Sequence, residues 1–417
     1  MGGRYALNTK IGCILQQKNK NFEKIGEKYM VTLQSADSAL KSFYLNAITD
    51  ALNMKTNPLL ARIQQTTANV VGKEVKKAVR IGVSGGISAG TETGALPSAS
   101  SSDYAQLTAT LKNLYGTIEI SDKAIRASAN NEGAFVNLLN DEMEALVKSA
   151  SFNFGRMLFG DGTGKVASIK SVTANSIKVD STAAIAEGML ISVCDQNGSE
   201  VAAISKRKVV GVDRVNNTVY IDGADISSSM IPATGYICLQ GSGNNELTGL
   251  GAVFSDAKIY GLDRTATVMK PYKKTSVGEI SESAIQKAMD TIEEISGEKV
   301  DFIVCSWGVR RALCEYYKKN QVSLPTVEIE GGFKAISFNG IPVVADRFCP
   351  AGTMYLLNTN HFKIHQLCDW QWLEGEDGKI LKQVPGKPVY TATLVKYAEL
   401  MCENPSAQGA LMGITEA

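Results

Sequence analysis

Gly82-Val83-Ser84-Gly85-Gly86 has the G-x-S-x-G form of a nucleophile elbow. Such an elbow works because a strand turns sharply into a helix and offers its serine to an imidazole base. The only imidazoles in the chain are those of His361 and His365. Ile87 to Gly94, which follow the serine, read as more loop, so a flexible hairpin tip is preferred to a serine hydrolase built on Ser84. Gly160 to Lys165 is similar to a phosphate-binding loop, but Phe159 stands where a Walker A run needs glycine and Val166 where it needs Ser or Thr. The segment also leaves a helix instead of leading into one, and reads as a helix stop. His361 and His365 have a spacing that would suit a metal on a helix. Their context, His361-Phe362-Lys363-Ile364-His365-Gln366-Leu367, alternates as a strand does, and only Cys368 and Asp369 lie close by as further ligand types. Strand-face histidines without a metal is the reading adopted. Lys73, Lys76, Lys77 and Arg80 make a basic strand face with none of the interleaved aromatics of a single-stranded nucleic-acid site. Solvated charge, or pairing with acids of a neighbouring subunit, accounts for it. Trp370 and Trp372 could form a ligand platform, although such pairs more often pack in a core or interface. No catalytic set converges, and neither cofactor nor metal is expected.

The elements that must carry these residues are organised around Asn131 to Phe159. Phe135, Leu139, Met143, Leu146, Ala150, Phe154 and Met157 recur at three- and four-residue steps, the stripe of one helix face. Asn130 can cap the run and Gly160-Asp161-Gly162 ends it. A helix of this length, roughly 40 Å at 1.5 Å per residue, spans a domain, and it is called the spine below. Upstream, Ser35 caps a helix with Leu40, Phe43, Tyr44, Ala47, Ile48, Ala51 and Leu52 on one side, closed by Asn57-Pro58, and a short helical piece begins at Leu59. From Val71 the period becomes two, with Val75, Val79, Ile81 and Val83 alternating against Glu74, Lys76 and Arg80. Gly82 to Ser102 then holds five glycines and six serines before Leu107 to Ile120 returns in extended style. This predicts a long β-hairpin whose tip is too polar to be buried in its own subunit, so something outside receives it.

After the spine, short β-type runs at Val166–Val172, Ser176–Val179, Met189–Cys194, Val201–Ile204, Val209–Val212, Thr218–Ile221 and Tyr236–Leu239 are split by turn sequences. They predict an inserted small barrel or sandwich. The last third alternates: a helix capped by Ser281 and ended by Gly297, a buried strand Val300–Cys305, and a helix with Val309, Leu313, Tyr316 and Tyr317. Strands follow at Ala335–Phe338, Pro342–Ala345, Met354–Asn358, His361–Leu367 and Tyr390–Cys402.

With 417 residues, 44% hydrophobic and 20% charged, the chain is of globular type and large enough for two or three domains. Lys and Arg number 43 against 42 Asp and Glu, so no global field steers it to nucleic acid or an anionic membrane. No apolar run approaches a membrane span and no signal-type stretch opens the chain, which points to cytoplasmic synthesis. The eight cysteines show no paired zinc spacing and read as free, mostly core thiols in a reducing compartment. Residues 1–29 are basic and aperiodic. Codons for Ile25-Gly26-Glu27 could spell a ribosome-binding sequence, which would make Met30 the true start.

An arm helix, a long hairpin, a spine and an αβ region with no catalytic set form the inventory of an interlocking part. In Val31-Thr32-Leu33-Gln34-Ser35-Ala36-Asp37 with Ala39-Leu40-Lys41-Ser42, in Asn244-Asn245-Glu246-Leu247-Thr248-Gly249-Leu250, and in Phe338-Asn339-Gly340-Ile341-Pro342-Val343-Val344-Ala345-Asp346 with Pro350-Ala351-Gly352-Thr353-Met354-Tyr355, the chain resembles the major capsid proteins of tailed bacteriophages. The likeness covers nearly all of Val31 to Ala417. It implies the α+β Hong Kong 97 fold with an added all-β domain: a basic extension (1–35), N-terminal arm (36–69), extended loop (70–127), spine of the peripheral domain (128–163), β insertion (164–243), peripheral return (244–278), axial domain with peripheral strands (279–400) and C-terminal segment (401–417). It further implies assembly with itself as hexamers and pentamers, portal and scaffolding proteins as partners, decoration proteins on the shell, phosphate-only contact with packaged DNA, and location in the virion after assembly in the host bacterial cytoplasm. Relatives often begin with a cleaved scaffolding segment; here scaffolding would be a separate protein or have been removed already. Since the extended loop of such proteins lies across a neighbour, Lys73, Lys76, Lys77, Arg80, Gly85, Gly86 and Tyr104 are the expected inter-subunit residues. The same fold could also build an encapsulin-like compartment.

Overall fold

The computed structural model describes residues 57–82, 84–124, 132–232, 234–320, 326–329, 333–375 and 378–417. The basic extension and the helix expected over Ser35–Leu52 lie outside the described residues. Two compact units divide the described residues: those within 117–146 and 372–394, and those within 57–116, 147–371 and 395–417. The spine helix, Glu132–Met157, runs through both. Strands Lys112–Ser121 and Val389–Cys402 do the same.

In the smaller unit, Lys382 and Gln383 pair antiparallel with Thr391 and Tyr390. Leu373 N–H donates to Thr393 O and Asp122 N–H to Pro388 O, while Ile118, Ile120, Trp372, Ile380, Leu381 and Leu394 are buried.

Among the described residues the larger unit holds a sheet in which Gln64–Thr66 pairs parallel with Lys363–His365, and three further bodies of structure. The first is a seven-stranded sheet in the order Tyr272–Lys274, Gly409–Leu411, Met354–Leu357, Phe302–Cys305, Ile341–Ala345, Phe333–Phe338, Thr326–Ile329. Phe302–Cys305 is buried at every position, as expected of a central strand. The helix Glu282–Ser296 starts where Ser281 Oγ accepts from Ala284 N–H and stops at Gly297 with φ +72°. The helix Trp307–Lys319 starts likewise at Ser306, whose side chain accepts from Val309 N–H. Ile285, Ala288, Ile292, Val309, Leu313 and Tyr317 form one core with Ile303, Val343, Leu356 and Leu411 of the sheet.

The second body is a closed six-stranded barrel, in the cyclic order Thr218–Ile221, Ser176–Val179, Ala167–Thr173, Tyr236–Leu239, Leu190–Cys194, Arg207–Asp213. Inward residues at alternate positions, among them Ile177, Val179, Ile191, Val193, Val209, Val219 and Ile221, fill it. The strand expected at Val201–Ile204 is instead a single 3-10 turn, Ala202–Ile204, with Ile204 fully buried in the barrel core. A short apolar run carries no periodicity that separates a strand from a buried turn. Cys194 and Cys238, read above as thiols, are joined by a disulfide across adjacent strands. Cys305, Cys314, Cys349, Cys368 and Cys402 are free.

The third body is the hairpin. Val70–Val71 turns through Gly72 (φ +62°) and Lys73 to pair with Glu74–Val75, and Glu74–Arg80 pairs antiparallel with Tyr104–Thr110 over seven registered residues. The return limb breaks at Leu111 before continuing as Lys112–Ser121. The piece at Leu59 is one 3-10 turn, Leu60–Arg62.

Candidate assembly surface

The hairpin stem is seated on its own chain and its tip is not. Thr108 N–H donates to Tyr260 O at 3.0 Å, and the Tyr260 hydroxyl donates to Leu400 O at 3.2 Å while accepting from Cys402 N–H at 3.0 Å. Lys77 pairs with Glu403, which also receives Lys363 at 3.2 Å. Burial raises the Glu403 carboxyl, but the bonds from Lys77 and Lys363 outweigh it and hold the group below its usual range. Lys77 is therefore engaged within its own chain. Lys73 stands exposed on the turn, Lys76 lies 3.1 Å from Glu74, and Arg80 and Tyr104 are opposite each other in the ladder, both exposed.

Past the last ladder bond, Ile81 N–H to Asp103 O at 2.9 Å, the two limbs run on without regular pairing. Ser84 Oγ donates to Ser100 O at 2.7 Å, so the elbow serine ties the limbs together, and no imidazole is among its contacts. Gly86 faces the return limb: a Cβ there would lie 3.4 Å from Ser100 N, and one on Gly85 would lie 3.4 Å from Ser100 Oγ. The tip exposes two large apolar side chains almost wholly, Ile87 at 88% and Leu96 at 90%.

The segment Asn244–Leu250 meets three elements. Lys112 Nζ donates to Asn244 O at 2.9 Å. Arg156, in the last turn of the spine, makes a two-pronged pair with Glu246 at 2.9 and 2.5 Å, both side chains being buried. Thr248 N–H donates to Glu399 Oε1 at 2.7 Å. Burial pushes the Glu399 carboxyl up to about 7 against that bond. Gly249 lets the segment lie on the spine's end: a Cβ there would fall 2.4 to 2.7 Å from the carbonyls of Met157, Leu158 and Gly160. Sequence reading missed Arg156 and Glu246 as partners; a lone arginine among Phe154, Met157 and Leu158 was the available signal.

The remaining candidates fall elsewhere and are occupied by protein. Gly164 approaches Ser242 O so closely that a Cβ would lie 2.3 Å away, which leaves the Gly160–Lys165 loop packed against backbone. His361 closes a 3-10 turn rather than sitting on a strand, because Asn358 caps that turn through Asn360 N–H. His365 is fully buried with Nδ1 2.9 Å from Ala68 O, and burial lowers its pKa. Among the described residues no group of three His, Cys, Asp or Glu side chains could hold a metal, and no helix is long and apolar enough to cross a membrane. Trp370 packs edge-on to Phe154, with Lys396 Nζ 6.0 Å from its ring centroid and 2.7 Å from Asp369, so no open platform exists there.

This is an α+β capsid fold of the Hong Kong 97 type carrying an extra barrel. The capsid of cyanophage A-1(L) is similar at a TM-score of 0.53 and 11% identity, over 87% of this chain and 93% of that one. The capsid of an empty GTA particle gives 0.47 and 11%, over 87% and 91%. The procapsid of satellite phage P4 gives 0.45 and 13%, over 96% and 97%. No protein-family model matches the chain and no curated protein matches it.

Proposed function

We propose that this chain is the major capsid protein of a tailed bacteriophage or prophage, assembling as hexamers and pentamers into an icosahedral head around double-stranded DNA. The reading rests on one observation above others: a capsid-type fold holds out a tip, 84–102, whose apolar Ile87 and Leu96 have no cover in their own chain. Arg80, Tyr104, Gly85 and Gly86 border that tip, Lys76 lies along the stem and Lys73 at its far turn, and these residues meet the neighbouring subunit, while Lys77 and Glu403 hold the stem. The segments divide as the resemblance implies, with residues 70–127 as extended loop, 164–243 as insertion and 279–400 as axial domain. Many weak contacts acting together close the shell. Packaged DNA meets the inner surface at its phosphates, since a net charge of +1 cannot neutralise it. Assembly takes place in the host cytoplasm with portal and scaffolding proteins, and the product is the virion shell.

Negative-stain microscopy of the expressed protein, with and without the product of a neighbouring scaffold gene, tests this. Closed shells or capsomers are expected. A compact monomer at high concentration contradicts the reading, and shells enclosing a protein cargo in place of nuclease-protected DNA would assign the fold to a compartment instead.

A further inference from the structure

Two of the described cysteines meet in the barrel wall and the other five stay apart as thiols. Burial pushes the Cys305 thiol up to about 12 and the Cys349 thiol well above its usual value, and neither has a second cysteine bonded to it. Cys194 and Cys238 have Cα atoms 6.3 Å apart on adjacent strands, a separation that a cystine spans without moving the backbone. Dithiol and cystine therefore fit the same barrel.

Their place is the barrel's root. Cys194 ends its strand and leads into the Asp195–Ser199 turn, whose Asn197 carbonyl accepts from Asn244 Nδ2 at 2.6 Å. Cys238 lies in the strand that carries the chain out of the barrel, where the Tyr236 hydroxyl donates to Thr163 O at 3.1 Å and Gly241 N–H donates to Glu200 at 2.6 Å. That exit strand meets the first barrel strand through only two registered pairs, so its hold depends on the side where the cystine lies.

We propose that Cys194 and Cys238 form a redox-set staple: a dithiol while the chain is made and assembled in a reducing compartment, and a cystine once the finished particle meets an oxidising medium. This rests on the reading of the chain as a shell protein that leaves its cell. The oxidant is a small-molecule disulfide. The Cys194 thiolate attacks it, forming a mixed disulfide and releasing one thiolate. The Cys238 thiolate then attacks Cys194 Sγ and expels the second, and the two protons given up by the cysteines end, by way of solvent, on the two expelled thiolates, so that the oxidant departs as two thiols. Both sulfurs are fully buried, so either direction of exchange waits on local opening of the barrel, and the closed staple persists after the medium changes.

Cells expressing the full chain, quenched in acid and alkylated after denaturation, should show Cys194 and Cys238 as thiols. Purified particles incubated with oxidised glutathione should carry them unalkylated, with an intact mass lower by two hydrogens. Reducing those particles should speed amide exchange in residues 236–244 by roughly thirtyfold, the low end for losing a native cross-link. A Cys194→Ser/Cys238→Ser variant should form the same particles with exchange indifferent to reductant. Two alkylated thiols after oxidation, or a complete cystine already in quenched cells, overturns the staple. Microscopy of the same samples separates the two ideas: shells with free thiols defeat the staple alone, whereas a cystine in protein that never forms shells defeats the proposed function alone.

Discussion

Glu246→Gln should destabilise the chain far more than the loss of one surface ion pair. Arg156 and Glu246 have side-chain exposures of 6% and 3%, and their two hydrogen bonds use both carboxylate oxygens. Replacing the carboxylate by an amide keeps the size but leaves the guanidinium charge buried opposite a neutral group that presents it with an N–H donor. Breaking such a pair from one side costs about 3–5 kcal/mol, whereas replacing both members by apolar residues is close to neutral or even stabilising. Arg156→Met alone should fall in the same range, and Arg156→Met with Glu246→Leu should recover most of the loss. Urea denaturation of the unassembled protein, followed by tryptophan fluorescence, gives the three values and their coupling. Single-variant costs below about 1 kcal/mol, the range of exposed pairs, would refute the claim that this pair fastens Asn244–Leu250 to the spine.

Three further tests address the contacts of Asn244–Leu250 and the tip. Glu399 has a carboxyl raised to about 7 from an ordinary value of 4.5, so the folded chain binds a proton that the unfolded chain releases. Its contribution is complete below about pH 4.5 and is lost as pH rises through 7, by up to about 3 kcal/mol; Glu399→Gln should flatten that part of the stability–pH curve, and an unchanged slope contradicts the assignment. Gly249→Ala drives a methyl into three backbone carbonyls and should cost about 3 kcal/mol or more, seen as lost soluble yield, while Gly90→Ala, with nothing within 4 Å of its Cβ, should be neutral. Ile87→Ser with Leu96→Ser should leave subunit stability within about 0.5 kcal/mol yet reduce particle yield by sedimentation; normal yield removes these side chains from the contact.

Much of this architecture can be read from the chain because the informative signals are local. Ser281 and Gly297 bracket a helix by capping chemistry that needs no tertiary information, and both cap as read. The apolar steps from Phe135 to Met157 mark the spine, and the glycine- and serine-rich run from Gly82 to Ser102 marks an exposed tip. What escaped reading is set by long-range pairing. Cys194 and Cys238 are 44 residues apart and become neighbours only when their strands register. Lys77 looks solvated until Glu403 arrives from the far end of the chain. Ile204 looks like strand because burial, not extension, selects its side chain.

Hydrogen exchange at residues 84–102, compared between unassembled protein and purified particles, tests the central claim most directly. The tip amides should exchange at nearly unprotected rates in the free chain and become protected on assembly, while the seated ladder of Glu74–Arg80 and Tyr104–Thr110 is protected in both. Protection of the tip in the free chain, or no gain on assembly, would contradict a ribbon that finds its cover on a neighbouring copy.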